Sequence, residues 1–523
     1  MSNIKDIVEN KHRVHKQYCN YWNFLLESWE GGVDYSLSYV ISSNNHFGQI
    51  VDSLFQIFAG GKQITNVTRS NLFQHPKERA QDYKDRVQMS YYYNFCSPII
   101  DIYTDHLFKQ TIIEDFGNIQ NIVELRKENI DRKNGSILEF RKELTEMAQV
   151  YGHVFVLCDT PNIDKNLLTF QDVIDNDVFP YFTIFSPQSI INWALDSFGN
   201  PYWVLVIESE DANSNPFNMN TDKPSNYYYR LWTRQEWILY DGEYKEIGRG
   251  LHNLGFVPIT CVFDKQSKKV RNFLGVSAIA DIAFIARDIY NSCSELKQIL
   301  RDQTFAFLAL QGESSEYDEL SIGTGKGLLY PVDRNPPQYI SPPSINAEVY
   351  FKHIDRQVTK IFQLAKLEGG SADFQGQTAV NQSGVSKAWD FNQTNSALSK
   401  KATNIENGEM KLWQMFAAWQ GLEFDGSIVY PNEFSIQSLK QDLDEAEQAA
   451  RVQLGKTFNI EVKKAIIKKK FPRLPDTELE KMMKEIEINE GKGESGRLID
   501  RLPSLAERFM NANSSGKKEE QNV

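Results

Sequence analysis

Between residues 179 and 265 the apolar pattern of this chain changes its period, and any fold it adopts must accommodate that change. YFTIF, YWVLVIES, YYYRLW, EWILYDGEYKEIG and VPITCVF are β-branched and aromatic runs set apart by turn residues, the pattern of strands. Asp241-Gly242 predicts a hairpin turn. The polar stretch 209–225, SEDANSNPFNMNTDKPS, predicts a loop between two strands. Because no helical segments alternate with these runs, they predict an antiparallel sheet rather than βαβ units.

Helical periodicity holds on both sides of this block. Residues 5–30 predict an aromatic-rich helix ending at Gly31-Gly32, and 30–75 is polar and irregular. Residues 76–110 crowd Tyr91, Tyr92, Tyr93, Phe95, Ile99, Ile100 and Tyr103 onto a helix broken near Pro98. Residues 136–151 predict an amphipathic helix, with Leu138, Phe140, Leu144 and Met147 at helical spacing. Gly152 ends it, and HVFVLCD then predicts a buried strand. Further helices are predicted over 277–303, over 346–367 with Ile354, Val358, Ile361, Phe362 and Ala365 on one face, and over 385–421 and 475–489. Residues 304–343 hold short apolar runs around acidic and glycine-rich turns. Residues 368–384 are polar and glycine-rich, and the tail from about 490 is predicted to be disordered. The fold class is α+β, mainly helical, without an internal repeat.

With 523 residues, 41% hydrophobic and 24% charged, the composition is that of a globular protein. No stretch approaches ~20 uninterrupted apolar residues, so no spanning helix and no membrane partner is expected. MSNIKDIVENKHRVHKQ has no apolar segment of the kind a secretory signal needs. Cys19, Cys96, Cys158, Cys261 and Cys293 are far apart, form no CxxC pair, and are expected to be reduced, buried thiols. A net charge of −12 argues against a broad surface that grips nucleic-acid phosphates.

Catalytic and cofactor motifs are weak or missing. SIGTGKGLLY (321–330) lacks the first glycine of a phosphate loop, which is Leu320 here, and has Gly327 where Ser or Thr should hold magnesium. It is expected to be a tight turn. His12 and His15 stand three apart on a helix, but no nearby ligand supports a metal pair, so both are expected to be solvent-exposed. No HExxH, GxSxG or strand-borne GxGxxG occurs. Lys463, Lys464, Lys468, Lys469 and Lys470 form either a phosphate contact or, more plainly, the cationic end of a helix before Pro472. No cofactor, metal or enzymatic activity is expected.

One charge pattern is more informative. Asp281, Asp288, Glu295 and Asp302 recur every seven residues, which at ~100° per residue makes a stripe about 60° wide. Ile282, Ile285, Ile289, Leu296 and Leu300 adjoin it, and Arg287, Lys297 and Arg301 lie roughly opposite the apolar arc. This describes an ordinary amphipathic helix. It also describes a helix in a ring, whose acids line a hole or meet the cations of a neighbour.

The order of segments resembles that of the portal proteins of tailed bacteriophages, which are ring-shaped oligomers at one capsid vertex. FLGVSAIADIAFIARDIYNSCSEL (273–296) is similar to that family's entry into its first stem helix. EGGSADFQGQTAVNQSG (368–384) resembles its tunnel loop, and IVYPNEFSIQSLKQDLDEAEQAARVQ with KKAIIKKKFPRL its helical crown. The resemblance implies a wing over 1–274, stem helices over 275–303 and 344–368, and a small α/β clip over 304–343 between them. It further implies a tunnel loop over 369–384, a long wing helix over 385–425, a crown over 426–490 and a tail over 491–523.

The implied function is a dodecameric channel for packaging and ejecting double-stranded DNA. The implied partners are the large terminase subunit, the major capsid protein and tail adaptor or head-completion proteins. The implied location is the virion, with assembly in the host cytoplasm. Asp281, Asp288, Glu295 and Asp302 would then face the lumen or a neighbouring subunit, and Arg287, Lys297 and Arg301 a neighbour. Gln375, Gln377, Thr378, Asn381 and Gln382 would touch DNA from the tunnel loop. Glu313, Glu316, Asp318 and Glu319 would make the clip acidic. The competing readings are another phage head structural or scaffold protein, and an α+β enzyme with a dispersed active site.

Overall fold

The computed structural model describes residues 4–32, 35, 71–161, 178–211, 225–269, 273–304, 307–309, 338–340, 344–367, 384–432, 434, 460, 463–464 and 481–486. The chain divides into two units, 1–434 and 435–523. In the second unit residues 460, 463–464 and 481–486 are helical. All that follows concerns the first.

The first unit contains both helices and antiparallel sheets, as an α+β chain should. Its N-terminal helix is two: α1 (Ile4–Glu9) and α2 (Arg13–Glu30). The break falls at His12, which is extended and caps α2 by accepting a hydrogen bond from Val14 N at 3.2 Å. The expectation that His12 and His15 are solvent-exposed is wrong. His12 stacks on Trp193 with ring centroids 3.8 Å apart, and His15 is fully buried against the carbonyl of Gln188 at 3.0 Å.

Helices α3 (Ala80–Met89) and α4 (Cys96–Leu107) follow. The chain is non-helical over 90–95, so the break precedes Pro98. Pro98 sits in the first turn of α4, where a missing N–H costs nothing. Strand β1 (Ile113–Asp115) and α5 (Gln120–Arg126) lead to α6 (Ile137–Tyr151), which opens on a capping box between Ser136 and Glu139. Phe140 and Leu144 of α6 are buried as their spacing predicts, whereas Leu138 is exposed.

Strand β2 (His153–Asp159) is buried along its whole length, because β3 (Tyr181–Phe185) and β9 (Ile259–Phe263) pair on either side of it. Strands β4 (Ile190–Leu195), β5 (Pro201–Asp211), β6 (Ser225–Thr233), β7 (Glu236–Tyr240) and β8 (Glu246–Leu251) form a consecutive antiparallel meander. The β5–β6 ladder runs out to Asp211↔Ser225, so strand covers both ends of the stretch expected to be loop. The Asp241-Gly242 hairpin is real but longer than two residues. The Asp241 carboxylate accepts from the N–H groups of Glu243 and Lys245, and Tyr244 takes the positive φ of 67°.

Helix α7 (Ala280–Thr304), the short strands β10 (Phe307–Ala309) and β11 (Gln338–Ile340), and helix α8 (Ser344–Leu364) come next. Helix α9 (Gly384–Trp419) and β12 (Ser427–Val429), which pairs with β1, complete the unit. α9 lies against β9 and β2, closely enough that a Cβ on Gly408 would meet Val262 Cγ1 at 2.6 Å.

Two devices lock this core. Arg141 of α6 donates from Nε (2.8 Å) and Nη2 (2.6 Å) to Glu409 of α9, and also pairs with Glu114. The same Glu409 accepts from Trp413 Nε1 (2.9 Å) and Tyr430 Oη (2.6 Å). Every buried charge here is therefore paired and hydrogen-bonded, which is the condition for tolerating it. The second device is a backbone crossing at two glycines, where a Cβ on Gly275 would fall 2.0 Å from the Gly152 carbonyl oxygen.

Candidate functional site

The glycine crossing sets the start of the two-helix hairpin. Gly275 N donates to His153 Nδ1 (3.2 Å), Val276 N to Lys265 O (2.7 Å) and Ala278 N to Gln149 O (2.9 Å). Ser277 Oγ then accepts from Ile279 N at 3.1 Å, and the chain turns into α7. Ile282, Ala283, Ala286, Ile289 and Leu296 are buried, and α8 packs antiparallel along α7. On α8 Ile361 is buried, as is Ala365 just after its end, and Ile354 and Val358 pack on the core at its edge. Between the helices, β10 and β11 pair from Phe307↔Ile340 to Ala309↔Gln338 and so close the root of the inserted segment.

The acidic stripe occupies one flank of this hairpin. Asp281, Asp288 and Glu295 are exposed and Asp302 half-buried. Asp288 Oδ2 lies 2.9 Å from His353 Nε2 and accepts from Gln357 Nε2 at 2.9 Å. Glu295 accepts from Tyr350 Oη at 2.7 Å, and Asp302 from Gln298 Nε2 at 3.0 Å. Burial, and then the nearby charge of Asp281, push the Tyr21 hydroxyl up to about 12. Among the described residues, the hydrogen-bond partners of the stripe are neutral apart from the imidazole, and the one guanidinium that feels it, Arg86 near Glu295, is itself bonded to Glu78.

The basic residues stand elsewhere on α7. Arg287 is half-buried in an aromatic box, with its guanidinium 4.7 Å from the ring of Phe24, 5.1 Å from Phe284 and 5.3 Å from Phe73. Lys297 donates to Met89 O (2.6 Å) and lies 5.2 Å from the Tyr91 ring. Arg301 Nη1 rests on Met89 Sδ at 3.1 Å. Lys297 and Arg301 are exposed, and among the described residues neither is within ion-pair distance of a carboxylate.

The sequence did not single out the residues that face the acids. Yet Tyr350, His353 and Gln357 recur at helical spacing on α8, and that polar stripe beside the apolar one was the available signal. Tyr91 and Met89 carried none, since only the tertiary fold brings α3 and the residues after it to α7.

Gln375, Gln377, Thr378, Asn381 and Gln382 lie outside the described residues, as do Glu313, Glu316, Asp318 and Glu319. Among the described residues no group of His, Cys, Asp and Glu could hold a metal ion, and no helix is long and apolar enough to cross a membrane.

No protein-family model matches the chain, and no curated protein matches it. Among solved structures it is similar to a chain of the neck of a native GTA particle computed with C12 symmetry. That match has 12% identity and a TM-score of 0.35, and covers 68% of this chain and 85% of the other. A chain of the neck of an empty GTA particle computed with C6 symmetry is similar at 11% identity and a TM-score of 0.34, covering 68% and 85%.

Proposed function

We propose that this chain is the subunit of a phage portal: a closed ring, expected to be dodecameric, that passes double-stranded DNA into and out of a capsid and catalyses nothing itself. The observation that carries the proposal is the α7–α8 hairpin. Two long antiparallel helices bracket an inserted segment whose root is closed by β10–β11, and Asp281, Asp288 and Glu295 stay exposed along one flank.

A helical hairpin with one charged flank gains little alone. Repeated around an axis, it makes a tube whose wall is negative. Such a wall offers phosphates no cations, so DNA moves past without the counterion release that would hold it. The formal charge of −12 per chain, multiplied around a ring, acts in the same direction. In this reading Gln375, Gln377, Thr378, Asn381 and Gln382 supply short-range neutral contacts to DNA. Glu313, Glu316, Asp318 and Glu319 face a terminase motor or a tail adaptor of complementary charge.

The first test is the mass of the purified protein, together with negative-stain images. Rings with a central hole support the proposal. A monomer or dimer at every concentration and salt tested sinks it.

A further inference from the structure

The described contacts leave a charge imbalance on opposite sides of α7. Lys297 and Arg301 rest on Met89 and Tyr91 without a carboxylate partner among the described residues, while Glu295 and Asp302 hold only neutral hydrogen-bond donors. At ~100° per residue, Glu295 and Lys297 point to nearly opposite sides of the helix and cannot pair within one chain. A second copy placed side by side can pair them. That arrangement is heterologous, with one flank meeting a different flank, and it closes into a ring when repeated by rotation.

Rotation about an axis along the helix adds a constraint on register. It moves no residue up or down, so residues at one height meet residues at the same height. Glu295 and Lys297 differ by about 3 Å along α7, and Arg301 and Asp302 by about 1.5 Å. Tyr91 and Tyr93, both exposed and bonded to each other through their hydroxyls at 3.0 Å, stand beside the cations as an aromatic rim. Aromatic side chains of this kind are favoured at interfaces.

We infer that the second copy's Glu295 and Asp302 dock on the Lys297–Arg301 flank, Glu295 level with Lys297 and Asp302 level with Arg301, with Tyr91 and Tyr93 covering the pairs. The inference rests on the ring proposal. It reassigns both flanks: Glu295 and Asp302 meet the neighbouring copy and leave Asp281 and Asp288 to the wall, and Arg287, enclosed by three aromatic rings, takes no part in the pairing.

The test is a charge swap on the full chain. Lys297→Glu with Arg301→Glu, and separately Glu295→Lys with Asp302→Lys, should each lower the ring fraction at least tenfold in mass photometry while circular dichroism stays that of wild type. Combining all four changes should restore the rings. Rings unaffected by either reversal, or no recovery in the fourfold variant although its subunits are folded, overturn the pairing and leave the ring proposal standing. A wild-type chain that never forms rings overturns both.

Discussion

The Asp288 carboxylate lies 2.9 Å from His353 Nε2 and so joins α7 to α8 at the middle of the hairpin. Both side chains are partly exposed, and such a pair is worth only ~0.2–1 kcal/mol. Asp288→Asn keeps the hydrogen-bonding shape and should leave the thermal midpoint nearly unchanged. Asp288→Lys places an ammonium against the imidazole and should loosen the hairpin. Reversing Asp288 together with Glu295 should impair DNA packaging or ring assembly with the subunit fold largely intact. The Asn variant therefore separates loss of charge from loss of the helix contact. Wild-type packaging and rings in the Lys double variant would remove the stripe from the mechanism.

Arg141 and Glu409 form the buried tie between α6 and α9, each with about 3% of its side chain exposed. Desolvation weighs on the Arg141 guanidinium, but the carboxylates of Glu409 and Glu114 outweigh it and hold the group charged. Removing one partner strands the other, which should cost about 3–5 kcal/mol. Urea denaturation of Glu409→Gln and Arg141→Met should show losses of that order. The double variant should lose clearly less than the two losses taken together, because neither charge is left alone. Additive losses would show that the ion pair is not what stabilises this junction.

The parts of this fold legible in the sequence are those whose pattern is local. The helix over 137–151, the buried strand over 153–159 and the meander from 190 to 251 follow from periodicity and turn chemistry alone. His12 and His15 read as surface because a histidine at the start of a helix, with no ligand near it in sequence, has no local reason to be buried, while their partners come from β4 and the segment before it, more than 170 positions away. The acidic stripe was legible as a stripe. That two of its members bond to Tyr350 and His353 depends on how α8 rotates against α7, which no single-helix pattern encodes.

Stability should fall below neutral pH. Burial pushes the imidazoles of His153 and His15 down to about 3 and about 4. An unfolded histidine titrates near 6.5. Above that value neither state takes a proton and stability is complete. Below it the unfolded chain binds protons the folded chain refuses, so stability drops by about 1.4 kcal/mol per pH unit for each histidine until the folded value is reached. Asp159 acts in the opposite sense: burial raises it to about 6, so between 6 and its unfolded value acid favours the folded chain. Two histidines outweigh one carboxyl, and urea midpoints should decline from pH 6.5 to pH 5. His153→Gln should flatten that decline, and an unchanged slope would show that His153 is not responsible.

Thiol chemistry should distinguish Cys293 from the rest. Cys19, Cys96, Cys158 and Cys261 are buried and Cys293 is half-buried. Burial raises the Cys96 thiol to about 12 and holds Cys158 and Cys261 well above the ordinary range, so little reactive thiolate forms. A thiol-specific reagent at pH 8 should modify at most Cys293 in the native protein and all five cysteines in denaturant. Rapid loss of more than one thiol under native conditions would mean that the core opens easily.

The crossing of Gly152 and Gly275 gives the sharpest single-residue prediction. Gly152 has φ of 85°, and a Cβ there would lie 2.4 Å from the backbone of Val276. A Cβ on Gly275 would lie 2.0 Å from the Gly152 carbonyl oxygen, and no side-chain rotation relieves a clash between two backbones. Overpacking by a single methyl ordinarily costs about 1–3 kcal/mol. Gly275→Ala should meet or exceed that, because the strand must separate from the segment that starts α7. Gly255 is the control, since its φ of 78° strains a side chain but nothing lies within 4 Å of its Cβ position. Gly255→Ala should therefore cost only about 1 kcal/mol or slightly more, from the backbone alone. If differential scanning calorimetry gave equal losses for the two variants, the crossing would not be the fixed point from which the hairpin is aimed.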